Sequence, residues 1–339
     1  MSFIMNIRSV AKYESKILVR SWFFRIFTLL AVVFLGFFNF AMMLMEDNFG
    51  LWFAKSVSSN IPYLNLLLLN TGQAVVAVFL SSEFLKRDKK LDTFEVFYVR
   101  PLSNAEYVVG KIWGNLRVFL FLNLLVLAIV LAFNFMASGV TVDLPAYLVY
   151  FFLISIPTLI FIIGLSIFLM LLLKNQALTF ILLLGYIGLT LFYIQDKFYY
   201  LFDYMVYNLP LFKSTIVGFS NLELILNHRA IYFFAGLGFI FFTIFLFKRL
   251  PNARRSHYPW LFLSFCMFLL MVTAGFRHVR SILWEGEMRA LYTSINNKYV
   301  YEPKMAIDYY DISVEQKSET IRSVVGMEGT ALAASEVFI

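Results

Sequence analysis

Charged residues, cysteine and histidine are all scarce in this sequence. Only 14% of its 339 residues are charged, against about a quarter in soluble domains. One cysteine, Cys266, excludes an intrachain disulfide and lies in an apolar run, where a small buried side chain is expected. The histidines His228, His257 and His278 are scattered along the chain, and their positions favour interfacial residues over metal ligands.

Motifs of catalysis are also missing. Gly110-Lys111 is followed by Ile112 and lacks the preceding glycines of a phosphate-binding loop. No His-Glu-x-x-His, Ser-His-Asp or Cys-His arrangement occurs, and the apolar runs lack the paired acids or histidines of an intramembrane enzyme. We therefore predict no enzymatic activity, no metal and no cofactor in this chain.

Long apolar runs are what the sequence does contain. Hydrophobic residues make up 61% of the chain, and the mean hydropathy is +0.78. Runs of about twenty apolar residues are long enough to cross a bilayer as helices. We predict an all-α integral membrane protein with spans at roughly 22–44, 61–82, 112–136, 147–173, 177–195, 230–247 and 259–276.

Lys and Arg residues predict the orientation. With the N-terminus in the cytoplasm, sixteen of them fall in inner segments, while the outer segments before the seventh helix hold Lys55, Lys197, Lys213 and Arg229. Cytoplasmic loops carry the excess of Lys and Arg, so this orientation is favoured. Seven crossings then place residues 277–339 outside the cytoplasm. The net charge of +7 has the same origin and does not indicate nucleic-acid binding.

Residues 1–20 carry a regular pattern of basic residues. Positions four apart align on one face of a helix, and this spacing relates Arg8, Lys12, Lys16 and Arg20. Ile7, Val10, Ile17 and Leu18 fall on other faces. The pattern favours an amphipathic helix at the cytoplasmic membrane surface. The alternative is a basic flank that only sets the topology.

Segment 83–111 mixes six basic with five acidic residues. The positive-inside rule alone would not require the acids, so we expect a folded cytoplasmic element that docks a partner. Pro101 interrupts any helix there, and Ser103 with Glu106 has the spacing of a capping box at the start of the third span.

Few polar residues occur inside the spans. Asn70 and Gln73 share a helix face. They could line a substrate path or form hydrogen bonds between helices, and we favour the hydrogen bonds. Arg117 is the one clear charge in a span and lies near its inner end, from which it can reach the headgroups. Pro157 with Gly164 predicts a kink in the fourth span.

Two extracytoplasmic segments differ from plain loops. Residues 196–229 combine many aromatics with Asp203, Asn208, Pro210 and Lys213, which indicates short interfacial or re-entrant helices. In the tail, residues 298–321 alternate tyrosines and β-branched residues with charges, as strands do. Residues 326–339 carry no clear signal.

Segment 83–111 resembles the signature loop of ABC-2-type export permeases. The matching residues are Glu83, Thr93, Glu95, Pro101, Ser103 and Gly110-Lys111, while Asp92 and Asn104 depart from the pattern. The resemblance covers residues 1–250 and implies a six-helix permease core in a bacterial inner membrane, acting as an exporter subunit. It also implies two partners, a cytoplasmic ABC ATPase that binds the ATP and a second permease copy or paralogue. The implied ATPase-docking residues are Glu83, Arg87, Thr93, Glu95, Arg100, Pro101, Ser103 and Lys111.

The seventh span, 251–276, and the tail, 277–339, carry a second resemblance. The stretch YEPKMAIDYYDISVE is similar to the junction between bacterial ABC-2-type permeases and a fused outer zinc aminopeptidase domain. The zinc motif of that peptidase does not occur in this sequence. The alternative function that follows is a membrane anchor or scaffold for an extracytoplasmic hydrolase.

Overall fold

The computed structural model describes most of the chain as a bundle of long helices. The described residues are 3–44, 57–82, 102–136, 141–194, 196–209, 211, 213, 218–219, 221–247, 258–300, 305–317 and 320–331. Within them, seven helices are long and apolar enough to cross a membrane. The prediction of a multi-pass helical membrane protein is therefore confirmed.

The first four helices include the largely buried helix α3. Helix α1 comprises Phe3–Arg20 and is separated by Ser21 alone from α2, Trp22–Leu44. Helix α3, Asn60–Ser82, is the second apolar helix and is largely buried. Helix α4, Asn104–Met136, begins eight residues before the predicted span, because the capping box starts it among polar residues.

The remaining elements complete the bundle and extend from it. Helix α5, Leu144–Leu173, contains a π-helical segment at Phe151–Ser155, and α6 comprises Gln176–Ile194. Helices α7, Leu222–Leu246, and α8, Tyr258–Tyr299, pack against each other. Two antiparallel strands follow, β1 at Met305–Lys317 and β2 at Thr320–Ala331.

Three boundaries correct the sequence-based predictions. Helix α7 begins at Leu222 and not near residue 230, so Arg229 lies within a span and not in an outer loop. Helix α8 continues to Tyr299, so the first part of the predicted tail is helical. The expected strand character is confirmed in β1, and β2 also includes residues 326–331. The described strands are confined to this tail, and the membrane part of the described chain is helical, as expected.

Helix α1 packs along the first turns of α4. Gly110 and Gly114 lie four residues apart and let the two backbones approach: a Cβ at Gly114 would lie 2.9 Å from the Ala11 carbonyl oxygen. Ser15 Oγ donates to the Gly114 carbonyl at 2.7 Å. Small residues with this spacing allow close helix contact in membranes. The basic residues of α1 are exposed on its other side, at Arg8, Lys12, Lys16 and Arg20.

Glycines also bring α5 against α7. A Cβ at Gly164 would lie 2.6 Å from the Gly236 carbonyl oxygen, and one at Gly236 would lie 2.7 Å from the carbonyl of Ile160. The missing side chain of Gly164 thus allows α5 and α7 to pack closely. The π-helical segment Phe151–Ser155 directly precedes Pro157, and the kink expected at this proline stays a prediction.

We expect Gly236→Ala to destabilise the bundle, because the new methyl group would meet backbone atoms of Ile160 and Phe161 at 2.7 Å. Overpacking of this kind costs about 1–3 kcal/mol. Thermal unfolding in detergent measures the effect. Gly188→Ala is the matched control, because no atom of the described residues lies within 4 Å of a Cβ there. Equal melting temperatures for the two variants would contradict the close α5–α7 contact.

Candidate functional site

Four polar side chains meet in the interior of the bundle. Asn70 and Gln73 lie on α3, Asn123 lies on α4, and Ser155 ends the π-helical segment of α5. Each of the four is 0% exposed. We call this group the amide cluster. The sequence places two of its members, Asn70 and Gln73, on one helix face by their spacing.

The amide cluster forms a closed ring of hydrogen bonds. Asn70 Nδ2 donates to Ser155 Oγ at 3.2 Å, and Ser155 Oγ donates to Asn123 Oδ1 at 2.7 Å. Asn123 Nδ2 donates to Gln73 Oε1 at 2.8 Å, and Gln73 Nε2 donates to Asn70 Oδ1 at 2.5 Å. Rings of this kind polarise their own bonds and fix one geometry. The polar atoms of Asn70 and Gln73 are thus used between helices, as the helix-packing hypothesis describes.

A second pair of amides joins α2 to α3. Asn39 Nδ2 donates to Asn65 Oδ1 at 2.7 Å, and Asn65 Nδ2 donates back to Asn39 Oδ1 at 3.1 Å. Both side chains are buried. Asn39 and Asn65 belong to different apolar runs and are 26 positions apart, so the sequence gives no sign that the two meet. With the amide cluster, the pair makes α3 the polar centre of the bundle.

Between α6 and α7 the chain folds back into the bundle. We call residues 198–209 the re-entrant segment, in which Tyr204, Met205 and Val206 are each 0% exposed. It is built of turns and one short 3₁₀ helix, Phe198–Tyr200. The sequence predicts short interfacial or re-entrant helices here, and the described part of the segment contains one short helix, Phe198–Tyr200, among turns.

Arg229 of α7 holds the re-entrant segment against α5. Its guanidinium donates to the Tyr204 carbonyl at 2.8 Å and to Thr158 Oγ1 at 2.8 Å. Its Nε donates to the Leu153 carbonyl at 2.6 Å. That carbonyl is the one left without a helical donor by Pro157, which has no N–H. Arg229 is 2% exposed, so Arg117 is not the only charge within a span.

Asp203 shapes the turn that enters the bundle. Its carboxylate accepts from the backbone N–H of Tyr207 at 2.9 Å and from that of Asn208 at 2.8 Å. Burial raises the pKa of Asp203 above its usual value, while these N–H groups and Arg229 act in the opposite direction. The carboxylate thus pairs with backbone groups that would otherwise lack partners.

Two histidines support a left-handed turn at the start of the re-entrant segment. Phe198, Tyr199 and Tyr200 have φ of 53°, 59° and 62°, a conformation that costs bulky residues about 1–3 kcal/mol each unless their surroundings hold it. His228 Nε2 lies 3.0 Å from the Tyr200 carbonyl oxygen, and His278 Nε2 lies 2.9 Å from that of Tyr199. A carbonyl only accepts, so each Nε2 carries the hydrogen.

The histidines therefore do more than the sequence indicated. Their spacing in the chain suggested scattered residues, but the rings of His228 and His278 lie 5.1 Å apart between α7 and α8. Among the described residues, no three His, Cys, Asp or Glu side chains are grouped to hold a metal ion. His257 lies outside the described residues.

Most of the expected docking residues lie outside the described residues, namely Glu83, Arg87, Thr93, Glu95, Arg100 and Pro101. Ser103 and Glu106 form the predicted capping box: Ser103 N–H donates to Glu106 Oε2 at 2.6 Å, and Glu106 N–H donates to Ser103 Oγ at 3.1 Å. Asn6 of α1 also donates to Glu106, at 2.8 Å.

Two basic residues of α4 bind α1 instead of facing outward. Lys111 is 3% exposed, and its ammonium lies 3.8 Å from the carboxylate of Glu14. It is therefore buried in the α1–α4 contact, unlike an exposed docking residue. Arg117 Nε donates to Ser15 Oγ at 2.5 Å, and its terminal nitrogen donates to the Ala11 carbonyl at 2.8 Å. The interpretation that Arg117 reaches the headgroups is thus replaced by a contact within the protein.

Comparison with known proteins places the chain in no family, since no family model matches the sequence and no curated protein matches it.

We expect Asn123→Leu to destabilise the protein, because its two partners in the amide cluster would remain buried without it. Each unsatisfied group costs about 1–3 kcal/mol. Replacing all four members together (N70L, Q73L, N123L and S155A) should recover much of the loss, since no orphaned partner remains. Thermal unfolding of both variants measures this, with Thr273→Val on the exposed face of α8 as control. A loss of stability that is larger in the fourfold variant would contradict the ring.

We expect Arg229→Met to loosen the re-entrant segment, because the carbonyls of Leu153 and Tyr204 lose their donor. If the variant lowers the free energy that holds the re-entrant segment in the bundle by about 1.4 kcal/mol, the population in which the segment is open rises about tenfold. With Cys266 replaced by Ser, the rate of maleimide labelling at Met205→Cys reports this opening.

Arg277→Met is the control for that experiment. Arg277 is a cation near the same end of the bundle and is 65% exposed. Labelling that is equally slow in the Arg229 and Arg277 variants would show that Arg229 does not hold the segment.

Proposed function

We propose that the chain is the permease subunit of an ABC exporter, with a cytoplasmic N-terminus. A separate ATPase subunit binds ATP and docks on segment 83–111, and a second permease copy or paralogue completes the pathway. The observation that carries the proposal is the placement of the amide cluster. It links α3 to α4, which are the two helices that segment 83–111 joins, and connects both to α5.

This placement suits mechanical coupling. An exporter must convert movement of a cytoplasmic loop into movement of its spans, which requires that the loop end in helices that move as a unit. Helix α3 ends at Ser82 and α4 begins at Asn104, so both ends of the loop lead into packed helices. The hydrogen-bond ring resists sliding of α3 past α4, so a displacement of either end would reach α5.

Helix α1 also stiffens the cytoplasmic end of α4, through which movement of segment 83–111 would be transmitted. It is bound to the first turns of α4 by Ser15, by the pair of Glu14 and Lys111, and by Arg117. Helix α4 is 33 residues long, or about 50 Å, whereas the hydrocarbon core is about 30 Å thick. Its first turns can thus lie at the cytoplasmic surface beside α1. The exposed basic side of α1, formed by Arg8, Lys12, Lys16 and Arg20, then suits anionic headgroups.

One observation favours the second candidate, an anchor or scaffold for an extracytoplasmic hydrolase such as a zinc aminopeptidase. Helix α8 is 42 residues long, or about 63 Å, so it extends about 30 Å beyond a single crossing. Such an extension could hold a folded domain away from the membrane. It does not account for the mixed charges of segment 83–111, so we place the exporter first.

The experiment that tests the proposal is co-purification from detergent with the candidate ATPase encoded nearby. We expect the wild-type chain to retain the ATPase, and both Glu95→Lys and Arg100→Glu to lose most of it, because each reverses a charge of segment 83–111. The ratio of ATPase to permease in the purified sample is the measurement.

Glu223→Lys is the matched control, because Glu223 is an acid at the opposite end of the bundle with a 77% exposed side chain. It should co-purify as the wild type does. If the ATPase is absent from intact wild-type protein in several detergents, the anchor becomes the better explanation. If the control loses the ATPase equally, segment 83–111 is not the docking site.

A further inference from the structure

The C-terminal part of α8 stands apart from the bundle. We call residues 280–299 the stalk. They carry charged residues at Arg280, Glu285, Glu287, Arg289 and Lys298, in contrast to the apolar residues that precede them in the same helix. Helix α8 is also the least buried of the seven apolar helices, with 11% of its apolar window inside the protein. Packing within the described part of this chain therefore does not account for the apolar side chains of the stalk.

The stalk has an exposed apolar stripe with heptad spacing. Trp284, Met288, Leu291 and Ile295 follow one another at intervals of four, three and four residues. Trp284 is 61% exposed, Leu291 is 48% exposed and Ile295 is 45% exposed, while Met288 between them is half-buried. In heptad notation Met288 and Ile295 take the a positions, and Trp284 and Leu291 take the d positions. This is the pattern by which two helices pack in a coiled coil.

The hairpin of β1 and β2 presents a second exposed apolar surface. Partners in the strand register lie on the same face, and one face collects Tyr310 with Met327, Ile312 with Val325, Val314 with Ser323, and Gln316 with Ile321. Its six apolar side chains are 44% to 61% exposed. A two-stranded hairpin alone is marginally stable in water. Within the described part of the chain, both surfaces thus lack the cover that apolar residues in water normally have.

We propose that the stalk and the hairpin bind the same elements of a second copy of this chain. Copies inserted with the same orientation carry their α8 helices parallel, and a twofold axis along the membrane normal relates them. The two stripes then form a parallel two-stranded coiled coil, and the two apolar hairpin faces pack on each other beyond it. The proposal does not depend on transport, since it requires only that the copies share one orientation.

Charge complementarity selects a second copy over other occupants. In the heptad assignment Arg280 takes a g position and Glu285 takes the following e position. In a parallel pair the g residue of one helix faces that e residue of the other. Arg280 therefore meets Glu285 of the second copy, and the twofold axis repeats the contact. Both side chains are exposed in the single chain.

The apolar area is also large enough for a specific contact. Ten apolar side chains take part in each copy, four from the stalk and six from the hairpin. If each loses about 60 Å², two copies together bury about 1,200 Å², which exceeds the about 1,000 Å² expected of a specific interface. A partner that matched the stripe alone would leave the hairpin face uncovered.

Cysteine cross-linking in native membranes tests the proposal. In a Cys266→Ser background, Leu291→Cys puts a thiol at the d position, where two helices of a parallel coiled coil approach within disulfide distance. Thr293→Cys is the control, because Thr293 is exposed on the opposite side of the same turn. We expect oxidation to give a dimer of twice the chain mass at least five times more efficiently at Leu291 than at Thr293. Co-expressed copies with two different tags should appear in the same band.

Two further comparisons make the test specific. Ile312→Cys on the apolar hairpin face should cross-link more than Ser313→Cys on the other face. Arg280→Glu should lower the Leu291→Cys dimer yield several-fold, and Arg280→Glu with Glu285→Arg should restore it, since only paired copies exchange these charges. Equal cross-linking at Leu291 and Thr293, a product that contains a different protein, or no rescue by the double charge exchange would each overturn the proposal.

Discussion

A buried polar group in a membrane has no water to bond, and this constraint governs the interior of the bundle. The amide cluster meets it with a closed ring, in which every member donates one hydrogen bond and accepts another. Because each bond crosses to another side chain of the ring, the helices cannot shift without breaking several at once. The cluster thus gives its buried polar groups their hydrogen-bond partners. It also holds α3, α4 and α5 in one position relative to each other.

The same constraint explains the position of Arg229. Pro157 removes a helical N–H and leaves a carbonyl in α5 without its usual donor. Arg229 supplies that donor from α7 and uses its remaining N–H groups for Thr158 and the Tyr204 carbonyl. An arginine buried in a span is costly unless it is paired. Here the irregular backbone of α5 and the re-entrant segment provide the acceptors that make it tolerable.

Sequence reasoning recovers the parts of this structure that depend on local pattern. Apolar run length predicts the seven spans, and the Ser103–Glu106 spacing predicts the start of α4. The start of α7 is missed because His228 and Arg229 lower the local hydropathy, although both face inward. The stalk is missed because its charges resemble a soluble tail. Asn70 and Gln73 are found from their spacing, whereas Asn123 and Ser155 join them only through the packing of three helices, which no local pattern reports.

The contact between α1 and α4 also constrains how the protein is synthesised. The partners of α1 lie about a hundred positions later in the chain, as Asn6 with Glu106 and Ser15 with Gly114 illustrate. At elongation rates of about 5–20 residues per second, α1 leaves the ribosome about 5–20 s before α4 is complete. During that interval α1 has α2 beside it but not α4, the helix against which most of its buried side packs. The final packing of α1 therefore waits for α4, although α1 is the first helix to be made.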